Sequence, residues 1–537
     1  MNTDETAATQ HRDALLALGG LALTLFLVSL DQTVVGTAMP KIIADLDGFE
    51  LYAWVTTAYL LAQTVVLPIV GKLGDLFGRK WMTLGGVGIF LAASGFCGIA
   101  DSMGWLIAGR GLQGIGSGMI MATVFAQVAD IFPDLRDRAR YQGLLFAVFA
   151  LSSVIGPPLG GWITDTFSWR WIFYINLPLG LFSVLVLPKV LPQSKSKPGA
   201  KIDYRGALTI SISIIGLLLG LELIAAGHSW TSAEVVGSLL AAVIAFAIFI
   251  PLETRVADPI IPFSLFRNRT ISAVSAVMFL FGIVMFGMLL YTPLYIQGVL
   301  GLSASQSGIL MLPMSFAMPV VGILVGQIVA RVGVLRPFLV GGLLVMSIGA
   351  LLLTTVGTGT REWQIGMYLF LAALGMGSIF PVANLIVQSA APAAMLGVAT
   401  STVQFLRLIG STVGTAIIGS IVTSGYSAEM VKLAGKEEVP AAALSALDSP
   451  NALVSQQSLA HLSELMSPLA NGTALMEQLL SAARSGLAAA IHNGYLLMLV
   501  VIILALICSL FVRKLRLAEK QAVREKTEAD ITSVSAH

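Results

Sequence analysis

LDQTVVGTAMP, residues 30–40, places a carboxylic acid inside an apolar run that begins at Leu15. A run of this length crosses a bilayer as a single helix, for which about 20 apolar residues suffice. Asp31 is then a carboxyl group in lipid, where an ionised side chain costs about 2.5–3.5 kcal/mol on insertion scales. It is either a paired or protonated group with a function, or a hydrogen bonder in helix packing.

The rest of the chain fits the same reading. Its 537 residues are 56% hydrophobic and 11% charged, with a mean hydropathy of +0.87. The apolar runs are long and continuous, unlike the short alternating strands of a membrane barrel. The fold class is therefore an all-α integral membrane protein. Runs fall near 15–39, 51–70, 81–100, 105–128, 142–163, 171–191, 206–226, 234–252, 271–296, 305–330, 337–356, 364–387, 397–424 and 491–512. Fourteen spans put both termini on one side. Most Lys and Arg residues lie on that side, including Lys72, Arg79, Lys80, the Arg136/Arg138/Arg140 group and the basic stretch after Lys189. The other side carries Lys41, Arg170, Arg361, Lys432, Lys436 and Arg484, so both termini are cytoplasmic.

Other function classes find little support. A net charge of +2 gives no argument for nucleic acid. Cys97 and Cys508 fall within apolar runs and imply no disulfide framework. No HExxH motif, Ser/His/Asp set or metal cluster suggests an enzyme, and no ring of repeated charges suggests a channel.

Three further stretches carry chemistry. GKLGDLFGRK, residues 71–80, is a tight cytoplasmic turn in which Gly71, Gly74 and Gly78 let helix ends approach. Asp75 can accept from Arg79 or face the positive N-terminus of a neighbouring helix, so the turn is either a latch between helices or a charged connection. LIAGRGLQGIGSG places Arg110 about 8 Å below the outer surface and Asp31 about 12 Å below it, at 1.5 Å per residue. The two can pair. In SSVIGPPLGGW, Gly156, Pro157, Gly160 and Gly161 suit a bent helix lying closely against another. The polar, basic PQSKSKPGAK (192–201) reads as a linker, and 425–486 as a long outer segment, either short amphipathic helices or a solvated loop.

These residues together resemble the major facilitator superfamily and, within it, the fourteen-span drug:proton antiporters of the EmrB/QacA type. GKLGDLFGRK is similar to the superfamily's loop signature, LIAGRGLQGIGSG to its fourth-span Arg motif, and IGPPLGG to the antiporter signature. WRWIFYINLPLG (169–180) and LDQTVVGTAMP resemble patterns of the fourteen-span branch. The resemblance implies an N-terminal six-helix bundle (1–191), a linker with two additional spans (192–269), and a C-terminal bundle (270–537) with the outer loop 425–486 and a cytoplasmic tail 513–537. It implies a proton-coupled exporter of hydrophobic or amphipathic compounds in the cell membrane, a monomer embedded in membrane lipid. The proton gradient drives it, without cofactor, metal or nucleic acid.

In that reading Asp31 and Arg110 couple protons, while Gly71, Asp75, Gly78 and Arg79 form the latch. Gly156, Pro157, Gly160 and Gly161 form the antiporter hinge, and Asn384, Gln404 and Arg407 meet substrate. Export of a lipid or glycolipid is the alternative. Gly36 and Thr37 stand where relatives often have Asn, and Gln404 and Arg407 where some have acidic residues, which argues against dicationic substrates. GQIVARVGVLRP repeats the glycine spacing of the cytoplasmic turn with Ala330 at the Asp75 position. The second half lacks the latch.

Overall fold

The computed structural model describes residues 3–46, 51–192, 202–225, 228–434, 441–447, 449–454, 456–467 and 472–513. The linker after residue 192 and the tail after residue 513 lie outside them. In chain order the helices are α1 (Thr3–Leu46), α2 (Tyr52–Phe77), α3 (Arg79–Gly98), α4 (Met103–Ile131), α5 (Leu135–Thr166), α6 (Trp171–Tyr174), α7 (Asn176–Val190), α8 (Tyr204–Ala225), α9 (Ala233–Glu253), α10 (Arg269–Leu294), α11 (Ala304–Val332), α12 (Arg336–Leu353), α13 (Glu362–Ala390), α14 (Leu396–Ala434), α15 (Ala441–Ala446), α16 (Gln456–Met466) and α17 (Gly472–Leu510). Fourteen of these stretches are long and apolar enough to cross a membrane, with α6 and α7 together forming one.

The break between α6 and α7 has a local cause. Pro178 has no N–H to give the carbonyl of Tyr174, so the helical ladder lapses there. The chain restarts with Asn176 turned inward and fully buried. The outer end of the segment is pinned to α1. Trp169 Nε1 and Arg170 Nη1 each donate to Asp45 Oδ2 at 2.8 Å, and Arg170 Nη2 donates to the Ala100 carbonyl. The Trp169 indole first, and then Arg170, hold the Asp45 carboxyl below the usual carboxylate range. A depressed carboxylate stabilises at pH above its ordinary range and loses that contribution only as pH falls through the folded value. The strut is therefore expected to survive an outer pH of about 5. Fluorescence of Trp169 in a protein stripped of its other tryptophans should stay flat to that pH, and a transition near pH 6 would contradict it.

Basic residues on the cytoplasmic side close helix ends. Lys80 Nζ donates to the Pro188 and Leu191 carbonyls at the end of α7, and Arg138 donates to Phe132 and Ala129 at the end of α4. The α8–α9 hairpin lies against both α2 and α14, touching the first and last thirds of the chain. The outer segment is helical where described. α14 and α17 run well past their apolar stretches into it, and α15, the turn after it and α16 bury Ala443, Leu447, Leu462 and Met466. Tyr426 Oη donates to the Leu447 carbonyl and ties this cap down.

α1–α7 meet α10–α17 tightly on the cytoplasmic half. α5 crosses α11 so closely that a Cβ on Gly143 would sit 2.5 Å from the Gly322 carbonyl oxygen, and one on Gly326 2.6 Å from that of Ala139. Gln142 Nε2 donates to Gln388 Oε1, whose own amide donates to the Phe125 carbonyl. This state is closed to the cytoplasm. Gly143→Val should prise the crossing open at a cost of about 1–3 kcal/mol, a shift of roughly five- to 150-fold away from the closed state. Spin labels at the exposed Arg140 and Val332 read the separation, and an unchanged distance distribution would refute it.

Candidate functional site

Asp31 is built into a junction of four helices. Its side chain is fully buried, and Arg110 Nη1 on α4 donates to its Oδ2 at 2.6 Å. Gln113, one turn further along α4, donates to Oδ1 at 3.1 Å, and Asn176 at the start of α7 donates to the same oxygen at 2.9 Å. Ser94 on α3 accepts from both of those amides. Arg110 is held in turn by the Val55 carbonyl, by Gln113 Oε1 and over the Tyr59 ring, 4.3 Å from its centre. A charge pair so enclosed is stable only while its hydrogen-bond partners remain in place.

Of these partners, only Asp31 and Arg110 stood out in the sequence. Gln113 lies in the quoted Arg motif and Asn176 in WRWIFYINLPLG, but a neutral amide in an apolar run carries no distinguishing signal. Asn176→Ala removes one charge-assisted donor, worth about 1.5–3 kcal/mol. Gradient-driven transport should fall about tenfold with equilibrium binding within about twofold of normal. Normal transport by this variant would reduce Asn176 to packing.

The hinge residues adjoin this junction. α5 runs continuously through Pro157 and Pro158, and Gly156 and Gly160 press on Thr33 and Thr37 of α1, so a Cβ at either would clash. Gly161 faces open space. The first-span and fifth-span motifs are thus two sides of one interface, immediately outward of Asp31.

The cytoplasmic turn lies between the halves. Gly78 takes φ 101° and lets α2 fold directly into α3, a conformation that a Cβ disfavours. Gly71 admits Ser401 of α14 against the α2 backbone. Asp75 Oδ1 accepts from Arg79 Nη2 at 2.6 Å and from the Gly397 amide at 2.9 Å, and Oδ2 accepts from the Val398 amide at 2.8 Å. The carboxylate therefore sits on the positive end of α14. Arg79 also pairs with Asp130 at 2.6 Å. Asp130 was not legible because α4 outlasts its apolar run.

Asn384, Gln404 and Arg407 lie on α13 and α14, all at most 3% exposed. Arg407 Nε donates to Gln404 Oε1 at 3.3 Å, and its guanidinium lies 5.3 Å from the centre of the Phe380 ring. Asn384 donates to the Phe380 carbonyl one turn back. Phe380 stacks on Phe146 of α5 at 4.7 Å and meets Phe125 of α4 edge-on at 5.6 Å, where the halves touch.

The Major Facilitator Superfamily profile matches residues 21–415. The chain belongs to that superfamily. This facilitator is 36% identical over 512 residues to the multidrug transporter protein MdtP of Bacillus subtilis, covering 94% of each chain. It is 35% identical over 424 residues to multidrug resistance protein 3 of the same organism, covering 79% of this chain and 82% of the relative. Its fold is shared with the proton:xylose symporter XylE at a TM-score of 0.58 and 14% identity, over 96% of this chain and 99% of that one. The human organic anion transporter MFSD10 superposes at a TM-score of 0.57 and 15% identity, over 92% and 99%. The facilitator is a multi-pass plasma-membrane transporter with multidrug transporters among its relatives, and not an enzyme.

Proposed function

We propose that this facilitator is a proton-coupled exporter of hydrophobic or amphipathic compounds, an antiporter of the multidrug type that works by alternating access. The observation that carries the reading is the enclosed Asp31–Arg110 pair, whose side chains are at most 2% exposed and lie inside the apolar stretches of α1 and α4. It adjoins the α1–α5 interface on one side and the α6–α7 break on the other. Protonation from the outside removes the carboxylate charge and loosens Arg110, Gln113 and Asn176 together. Rocking about the midplane then opens the cytoplasmic side, where Asp75 releases the start of α14. Asn384, Gln404 and Arg407 meet substrate in the other half, so proton and substrate exclude each other through conformation, without sharing an atom.

The names of its Bacillus relatives support a broad small-molecule range. Proteoliposomes under an imposed pH gradient, offered cationic, neutral and anionic amphipaths and a fluorescent phospholipid, test the reading. Gradient-dependent accumulation of one or more of the small amphipaths is expected. Transport of phospholipid alone, or transport indifferent to the gradient, would overturn it.

A further inference from the structure

Arg110 and Arg407 both lie away from the ends of their apolar stretches, and they are treated differently. Arg110 is matched by Asp31, whereas Arg407, 3% exposed, has no carboxylate within 4.0 Å among the described residues, and no charged group offsets its burial. Its one hydrogen bond to a described residue is the long one to Gln404. An arginine cannot discharge by losing its proton, so the positive charge stays. Gln404 Nε2 on the same helix, and Asn384 Oδ1 one turn from Phe380 on α13, are buried without a hydrogen-bond partner among the described residues. A Cβ on Gly282 of α10 would strike the Arg407 carbonyl, so α10 and α14 are in backbone contact at this level. The charge is directed at Phe380, which closes on Phe125 and Phe146 of the opposite half. These ring contacts run between α4 and α5 on one side and α13 on the other.

We propose that Arg407 is an anion-recognition group that makes this facilitator select hydrophobic organic monoanions of the carboxylate class. It rests on the substrate-site reading above. The planar fork of the guanidinium takes a carboxylate by two parallel hydrogen bonds. Gln404 Nε2 supplies a further donor, and the apolar body of the ligand lies against Phe125, Phe146 and Phe380. Exchange of one proton inward for one monoanion outward moves two charges, so an inside-negative potential drives export of the anion more steeply than export of a neutral analogue.

The test is equilibrium binding to purified protein in phosphatidylcholine nanodiscs, with three probes that share one body: 1-pyrenebutyrate, 1-pyrenebutanol and 1-pyrenebutylamine. The carboxylate should bind at least about tenfold more tightly than the alcohol, and the ammonium most weakly. Arg407→Gln should bring the carboxylate to the level of the alcohol, with an unaltered helical circular-dichroism spectrum and a monodisperse size-exclusion profile showing that the variant is folded. Arg407→Lys, which keeps charge without the fork, should retain part of the preference. A wild-type protein without preference for the carboxylate, or an Arg407→Gln protein with the preference intact, would overturn the proposal. If phosphatidylglycerol added to the nanodiscs displaces 1-pyrenebutyrate, Arg407 serves a lipid phosphate and the carboxylate assignment fails. Binding needs no gradient, so a protein that shows the preference but does not pump upholds this proposal and contradicts only proton-coupled export.

Discussion

Asp31→Asn protein is expected to bind substrate with an affinity within a few-fold of wild type and to accumulate none against a gradient. Asn cannot take up or release a proton; it occupies nearly the same volume but keeps one acceptor oxygen, so it can hold Arg110 or the Gln113 and Asn176 amides but not both, as the neutral acid would. The side chains proposed to meet substrate lie on α13 and α14 and are unchanged, so binding should persist. What disappears is the coupling energy: one proton crossing 100 mV supplies about 2.3 kcal/mol, enough for roughly a fifty-fold gradient of a neutral substrate. Downhill exchange of labelled for unlabelled substrate needs no such energy and should persist. Uptake with and without an imposed pH gradient separates the two. Uphill accumulation by Asp31→Asn would remove Asp31 from the mechanism.

Asp75→Asn should produce the second large effect, on population rather than on coupling. The carboxylate holds two amides at the start of α14 from the other half of the molecule while paired with Arg79. Hydrogen bonds to a charged group are worth about 1.5–3 kcal/mol each, and a neutral amide keeps one acceptor of the two. A loss of about 3 kcal/mol shifts the balance more than a hundredfold toward the state open to the cytoplasm. Labels at the exposed Phe77 and Ala394 should then report a long distance where wild type reports a short one. Transport should fall to near background with binding retained. An unchanged distance distribution with full transport would leave GKLGDLFGRK a charged turn and no more.

The spans and their orientation were legible because lipid imposes them. Apolar length and the Lys/Arg asymmetry are set by the solvent, independently of tertiary detail. Asp31 and Arg110 were legible for the same reason, since a charge in an apolar run stands out and their depths predict a meeting. Asn176, Gln113 and Ser94 were not, because hydrogen-bonding side chains in spans serve packing as readily as they serve a carboxylate. Asn176 depends moreover on Pro178 breaking the sixth span, a consequence of one missing N–H. Asp130, the outer ends of α14 and the start of α17 were hidden differently. There the helix continues past the apolar run on ordinary propensity, where hydropathy marks no boundary. The partner of Asp75 was foreseen as a helix N-terminus, but its identity as α14, more than 300 residues away, follows only from the packing of the halves.

In the proposed cycle Asp31 carries the proton that substrate displaces. Proton release on adding substrate to purified protein, read with a pH dye in weakly buffered detergent, tests it most directly. Wild type should show a release that saturates with substrate occupancy, and Asp31→Asn none under conditions where that variant still binds substrate. Equal release from both proteins would contradict it.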